Sequence, residues 1–292
     1  MSPKVDCVLD IRVELGECPV WSETEQALYW IDIYAGRLHR FDPATGADRF
    51  WQIGEPVGSF ALCRENQALL ALKSGLHRFD LASGALSPIA RAEADMPGNR
   101  MNDGRCDRQG RFWVGSMADP VDPATPRGTL YRLDAALKCQ AMADGYFVSN
   151  GLAFSPDGRT LYHSDSYAPV RTIWAWDLDS DSGDISNKRV FVDTKGMPGR
   201  PDGGAVDADG CYWMAANDGW ELVRFTPAGK VDRRIALPVA KPSMVAFGGS
   251  QLDTIYITSI RPAGGLEQQP QAGSIFAVDA GVTGLPEPLF AG

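Results

Sequence analysis

The sequence predicts an all-β fold, a six-bladed β-propeller with a central channel. Three observations carry that prediction. A six-residue segment of one shape returns six times. A strand with an aromatic or apolar pair follows each return. No segment of the chain sustains a helical periodicity. The segments Glu17-Cys-Pro-Val-Trp-Ser22, Asn102-Asp-Gly-Arg-Cys-Asp107, Asn150-Gly-Leu-Ala-Phe-Ser155, Asp202-Gly-Gly-Ala-Val-Asp207 and Ser243-Met-Val-Ala-Phe-Gly248 align without gaps. A sixth, Gly58-Ser-Phe-Ala-Leu-Cys63, keeps the register but has no polar side chain at its head. The returns come about every 40–50 residues, the period of one propeller blade.

Each unit reads as a four-stranded antiparallel sheet. The first strand carries the repeated segment. A turn rich in Asp, Pro and Gly follows, as in Ser155-Pro-Asp-Gly158 and Asp207-Ala-Asp-Gly210, where glycine tolerates the left-handed conformation and Asp caps the turn. The second strand holds Tyr29-Trp30, Leu70-Ala71, Phe112-Trp113, Leu161-Tyr162, Tyr212-Trp213 or Ile255-Tyr256. The third is the Leu38-His-Arg-Phe-Asp42 type, repeated at Leu76–Asp80 and Leu130–Asp134. The fourth is short and irregular. The stretch Val5–Val13 precedes the first repeat and is expected to complete the last blade as its outer strand, closing the ring and removing a free sheet edge. One domain is expected over residues 1–292. Two long proline-containing loops, 118–128 and 261–273, join second strands to third strands on the face of the repeat heads; overhang of those heads and ordinary surface loop are both open readings.

The totals limit the function. The 292 residues are 44% hydrophobic, ample for a large core, and carry a formal charge of −9. No basic stripe is present, so neither nucleic acid nor an anionic membrane is an expected partner. The first residues lack a basic stretch followed by an apolar run, so the expected address is the cytoplasm. The six cysteines form no Cys-x-x-Cys pair and read as buried thiols, with Cys18 kept in view because it follows Glu17. A monomer is expected.

In a closed ring, equivalent positions face one axis. Glu17, Asn102, Asn150, Asp202 and Ser243 would then bring two carboxylates, two amides and a hydroxyl together. Carboxylate and amide oxygens form a hard donor set, suited to Ca²⁺, Mg²⁺ or Mn²⁺; Zn²⁺ and Fe are open, although no His or Cys heads a repeat. Arg100, two residues before Asn102, falls on the same side of an extended segment and can donate several hydrogen bonds to a polyhydroxylated ligand. Other constellations are missing. There is no Gly-x-Ser-x-Gly elbow, no phosphate-binding loop and no dinucleotide fingerprint. Only three histidines occur, His39, His77 and His163, all on second or third strands and read as structural.

Leu15-Gly-Glu-Cys-Pro-Val-Trp21, Asn99-Arg-Met-Asn-Asp-Gly104, Ser149-Asn-Gly-Leu-Ala-Phe-Ser155, Arg200-Pro-Asp-Gly-Gly-Ala-Val-Asp207 and Lys241-Pro-Ser-Met-Val-Ala-Phe-Gly-Gly249 resemble the gluconolactonase–regucalcin (senescence marker protein) family, from about Leu15 to the last blade. The resemblance implies one divalent metal in the axial channel, held by Glu17, Asn150 and Asp202. It implies Arg100 and Asn102 as substrate contacts and hydrolysis of a sugar lactone to the aldonic acid as the activity. On this reading Asp202 is both ligand and the group that orients or deprotonates water. Two alternatives stand beside it: a non-catalytic metal- or ligand-binding propeller, and a phosphotriesterase or arylesterase using the same metal.

Overall fold

Each repeat folds as a four-stranded antiparallel sheet, and the six sheets close into a ring. The computed structural model describes residues 3–292, and every named element within them is a strand. Blade one is β2 (Gly16–Ser22), β3 (Ala27–Asp32), β4 (Arg37–Asp42) and β5 (Ala47–Gln52). Blade two is β6 (Val57–Leu62), β7 (Gln67–Leu72), β8 (Gly75–Asp80) and β9 (Leu86–Ala90). Blade three is β10 (Asn99–Cys106), β11 (Phe112–Ala118), β12 (Gly128–Leu133) and β13 (Cys139–Tyr146). Blade four is β14 (Ser149–Phe154), β15 (Thr160–Asp165), β16 (Thr172–Leu178) and β17 (Ile185–Asp193). Blade five is β18 (Arg200–Val206), β19 (Tyr212–Asn217), β20 (Glu221–Phe225) and β21 (Val231–Ala236). The last blade is β22 (Pro242–Gly248), β23 (Thr254–Ser259) and β24 (Ile275–Asp279), with β1 (Val5–Leu9) as its outer strand. Val5 pairs with Val278 and Leu9 with Ile275, so the start of the chain completes the sheet that ends it.

A radial gradient explains the strand patterns. The first strand of each blade touches the first strands of both neighbours, all the way round. Those strands are packed on both faces, and β6, β10 and β14 are buried throughout. The outermost strands face water on one side, so β5 and β21 are mostly exposed. Between blades lie the second-strand aromatics. Trp30, Trp113 and Trp213 are fully buried, and each indole N–H is satisfied by a carboxylate: Asp48 (3.3 Å), Asp107 (2.9 Å) and Asp207 (2.8 Å). Asp207 also accepts from the Arg224 guanidinium at 2.8 Å, so one buried carboxylate ties the turn, the second strand and the third.

All six cysteines are free. Among the described residues no helix is long and apolar enough to cross a membrane.

Candidate active site

The repeat heads gain their direction from a shared irregularity. Every first strand slips register against its second strand near its start: between Glu17 and Val20, Val57 and Ser59, Met101 and Gly104, Asn150 and Ala153, Pro201 and Gly204, and Pro242 and Val245. A bulge bends the strand and re-aims side chains that regular pleating would hold elsewhere. The second blade shows why its head is glycine. A Cβ on Gly58 would lie 2.2 Å from the Met101 carbonyl oxygen and 2.8 Å from the Asn102 nitrogen. The backbone of the third blade fills the space, and the close approach seats Asn102.

One cavity of about 390 Å³ opens at this end of the channel. Glu17, Arg100, Asn102, Asn150 and Asp202 all line it. Apolar side chains, among them Met117, Val121, Val148 and Ile260, complete the wall. Ser243 does not join them. Its hydroxyl donates to the Gly16 carbonyl (2.5 Å) and meets Thr258 Oγ1 at 2.8 Å, so it staples the last blade to the first. The expectation of five oxygen-bearing heads at the axis is corrected to four. Cys18 also turns away; its Sγ faces the Phe60 and Gly104 carbonyls at 3.7 and 3.9 Å.

The polar groups form a directed chain. Arg100 Nη1 donates to Asn102 Oδ1 (2.6 Å). Asn102 Nδ2 donates to Asn150 Oδ1 (2.9 Å) and to the Ser149 carbonyl (2.8 Å). Asn150 Nδ2 donates to Asp202 Oδ1 (2.9 Å) and to Ser166 Oγ (2.7 Å). Arginine has donors only, so it fixes the Asn102 amide oxygen toward itself, and each later amide inherits its orientation. On the far side, Asn217 Nδ2 donates to Asp202 Oδ2 at 2.6 Å. Glu17 Oε2 accepts only the Cys18 N–H, at 3.0 Å.

Burial sets the electrostatics. It pushes the Asp202 carboxyl up to about 7, against the pull of the Arg200 charge and the Asn217 hydrogen bond. Burial also holds the Glu17 carboxyl well above its ordinary range, and the nearby charges of Asp202 and Asp103 add to that. Asp103, beside Asn102, is pushed up to about 6 by burial; one of its oxygens accepts the Leu152 N–H at 2.8 Å and the other has no partner.

A divalent cation is the group this donor set fits. Asn150 Oδ1 accepts one hydrogen bond here and keeps a second lone pair. Glu17 has a carboxylate oxygen without a hydrogen-bond donor, and two buried carboxylates that repel each other gain from a shared counter-charge. No three His, Cys, Asp or Glu side chains gather as a metal cluster among the described residues. Beside the two carboxylates, the Asn150 amide oxygen is a hard donor on the same cavity wall.

The loops behave differently from each other. In loop 118–128, Val121 lines the cavity, and Asp119 Oδ2 accepts from Arg100 Nε at 2.9 Å. Tyr34 reaches the same carboxylate, and its ring lies 5.7 Å from the Arg100 guanidinium carbon. Loop 261–273 packs sideways instead: Gln269 is buried and accepts the Ala240 N–H at 2.9 Å, and Ala272 sits in a core cluster between the last two blades. Only Ile260, just before it, reaches the cavity, so of the two open readings this segment fits a packing loop. The histidines stay outside the cavity; His163 is buried, 2.6 Å from Ser149 Oγ, and His39 lies 2.7 Å from Asp48.

Arg200, Asn217, Ser166 and Tyr167 also line the cavity and were not singled out from the sequence. A signal existed for Asn217. Antiparallel pairing sets the end of each second strand beside the head of its first strand, and Asn217 pairs with Arg200 in this way. Of the polar last residues of second strands, Asp32, Asp165, Asn217 and Ser259, it is Asn217 that lines the cavity.

Comparison with known proteins agrees with this architecture. A family model described as SMP-30/Gluconolactonase/LRE-like region matches residues 15–261. A 6-deoxy-6-sulfogluconolactonase from Pseudomonas putida is 43% identical over the whole of both chains. An L-arabinolactonase from Azospirillum brasilense is 37% identical over 97% of this chain and 94% of its own. Among solved structures, a calcium-binding regucalcin from Agrobacterium tumefaciens superposes with a TM-score of 0.93 at 28% identity, covering 99% of this chain and 97% of that one.

Proposed function

This chain belongs to the SMP-30/gluconolactonase/LRE-like family, and we propose that it is a metal-dependent hydrolase opening a sugar lactone to its aldonic acid. The observation that carries the reading is the convergence of Glu17, Asn150 and Asp202 on one cavity whose adjoining wall is Arg100 and Asn102. The lactonases among its relatives support the chemistry, and the calcium-binding regucalcin supports a divalent ion.

Glu17, Asn150 and Asp202 would hold the ion, with Ca²⁺ favoured by the all-oxygen donor set. When bound, it supplies Lewis acidity for the lactone carbonyl and its developing oxyanion. Arg100 and Asn102 orient the ring oxygen and hydroxyls; Arg100 is itself steadied by Asp119, so the donors are pre-aimed. Asp202, with one oxygen held by Asn150 and the other by Asn217, would orient the attacking water or take its proton. Met117, Val121, Val148 and Ile260 restrict water on the remaining wall. The product is an anion and leaves toward solvent through the open mouth.

The test is acid release, followed with a pH indicator, across a panel of pentono- and hexonolactones that includes 6-deoxy-6-sulfogluconolactone and L-arabinolactone. Release that chelator abolishes and a divalent ion restores supports the proposal. Release from none of them favours a non-catalytic binding propeller. Turnover of phosphotriesters or aryl esters alone favours the other esterase reading.

A further inference from the structure

Asp202 is gripped from two sides, and the second side belongs to none of the residues assigned above. On β18 and β19, Arg200 and Asn217 are cross-strand partners. Arg200 Nη2 donates to Asn217 Oδ1 at 3.3 Å, and Asn217 Nδ2 donates to Asp202 Oδ2 at 2.6 Å. Asn217 is 1% exposed, so its amide has no water with which to exchange these bonds. Arg200 is tethered in turn by Asp218, 3.5 Å away, and Asp218 is shared with Lys241 at 2.5 Å. The pattern mirrors the first chain. In both, an arginine held by a loop aspartate fixes an amide oxygen; Asn217 then meets Asp202 directly, whereas Asn102 reaches it through Asn150.

We infer that Asn217, locked by Arg200, is a positioning residue: it holds Asp202 Oδ2 in one orientation and so decides which lone pairs of that carboxylate face the cavity. An asparagine turned end for end would present its oxygen to the carboxylate and repel it. Arg200 removes that alternative, because a guanidinium accepts no hydrogen bond. Partners behind a metal-binding carboxylate commonly change affinity or activity by about 10- to 100-fold. The inference rests on the metal-dependent lactonase reading for the meaning of Asp202.

The experiment measures the Mn²⁺ dissociation constant at pH 8.5 together with kcat and KM on a lactone that the wild-type protein opens. Asn217→Leu removes the donor at nearly constant volume, and Arg200→Lys keeps the positive charge while breaking the fixed contact. The expected result for Asn217→Leu is about 10- to 100-fold weaker Mn²⁺ binding and a kcat loss of about the same size, with KM within about threefold. Arg200→Lys is expected to weaken Mn²⁺ binding by several fold. A role of Arg200 through charge alone predicts no change there. Should Asn217→Leu fail to fold, Arg200→Lys decides. Wild-type Mn²⁺ affinity and kcat in either folded variant overturns the inference while leaving the lactonase proposal standing; a wild-type protein that binds no Mn²⁺ and opens no lactone overturns both.

Discussion

Replacing Asp202 with asparagine is expected to make the stability of the metal-free protein less dependent on pH between pH 5 and pH 8. In metal-free protein the folded carboxyl ionises at about 7, whereas the unfolded side chain ionises near 3.8. A raised folded pKa means that the folded state holds its proton longer. Its stabilising contribution is complete below about pH 4 and is lost as pH rises through 7. Between pH 5 and pH 8 the loss spans about two pH units, or about 3 kcal/mol at about 1.4 kcal/mol per unit. Asparagine does not titrate, so the variant escapes that loss. It carries a different cost: Asn150 and Asn217 both donate to Asp202, and an amide at 202 has one acceptor oxygen for two donors. One orphaned buried donor costs about 1–3 kcal/mol at every pH. Relative to wild type, the variant therefore gains about 3 kcal/mol of stability between pH 5 and pH 8. At about 2 °C per kcal/mol, the Tm difference between the two proteins swings by roughly 6 °C. The assay is thermal unfolding of chelator-treated protein from pH 5 to pH 8, repeated with a saturating divalent cation. The cation is expected to raise the wild-type Tm and barely move the variant. A variant destabilised by one constant amount at all pH values, and as responsive to the cation as wild type, would refute the reasoning.

Gly58→Ala forces a Cβ against the Met101 carbonyl, so we expect about 1–3 kcal/mol of destabilisation and, because Asn102 must move, a fall in lactone turnover measured under folded conditions. Arg100→Met leaves the Asn102 amide oxygen without its donor and removes a donor from the cavity wall; kcat/KM should fall by about 100-fold while cation affinity, measured by titration, changes far less. Burial holds the His163 imidazole down to about 3. The folded state then refuses a proton that the unfolded chain accepts below about pH 6.5, and stability drops by up to about 1.4 kcal/mol per pH unit on acidification. Denaturant midpoints at pH 7 and pH 5 should separate more in wild type than in His163→Gln.

The fold was readable because the same physical demand recurs six times. A strand packed on both faces must be small or apolar, its partner carries the aromatic that fills the gap between blades, and the turn between them needs Asp and Gly. Glu17, Asn150 and Asp202 were readable as positions because polar side chains heading otherwise buried strands invite an explanation. Ser243 met the same criterion, yet its hydroxyl is short enough to bond the Gly16 carbonyl and never reaches the cavity. Only the distance across the blade boundary separates those two outcomes, and sequence does not encode it locally. Asn217 and Arg200 were hidden for a related reason. Their neighbourhood with Asp202 arises from antiparallel pairing, and attention to strand heads alone passes over strand ends. The two long loops look alike in composition; what distinguishes them is that Asp119 finds Arg100, whereas Gln269 finds the backbone of Ala240.

The central claim is that oxygen donors from three separate blades surround a single ion. Anomalous diffraction from crystals soaked in Mn²⁺, with data collected near its absorption edge, tests it directly. The account predicts one strong peak in the cavity, at about 2.0–2.6 Å from oxygens of Glu17, Asn150 and Asp202. A cavity without a peak, or a peak bound by other residues, would contradict it.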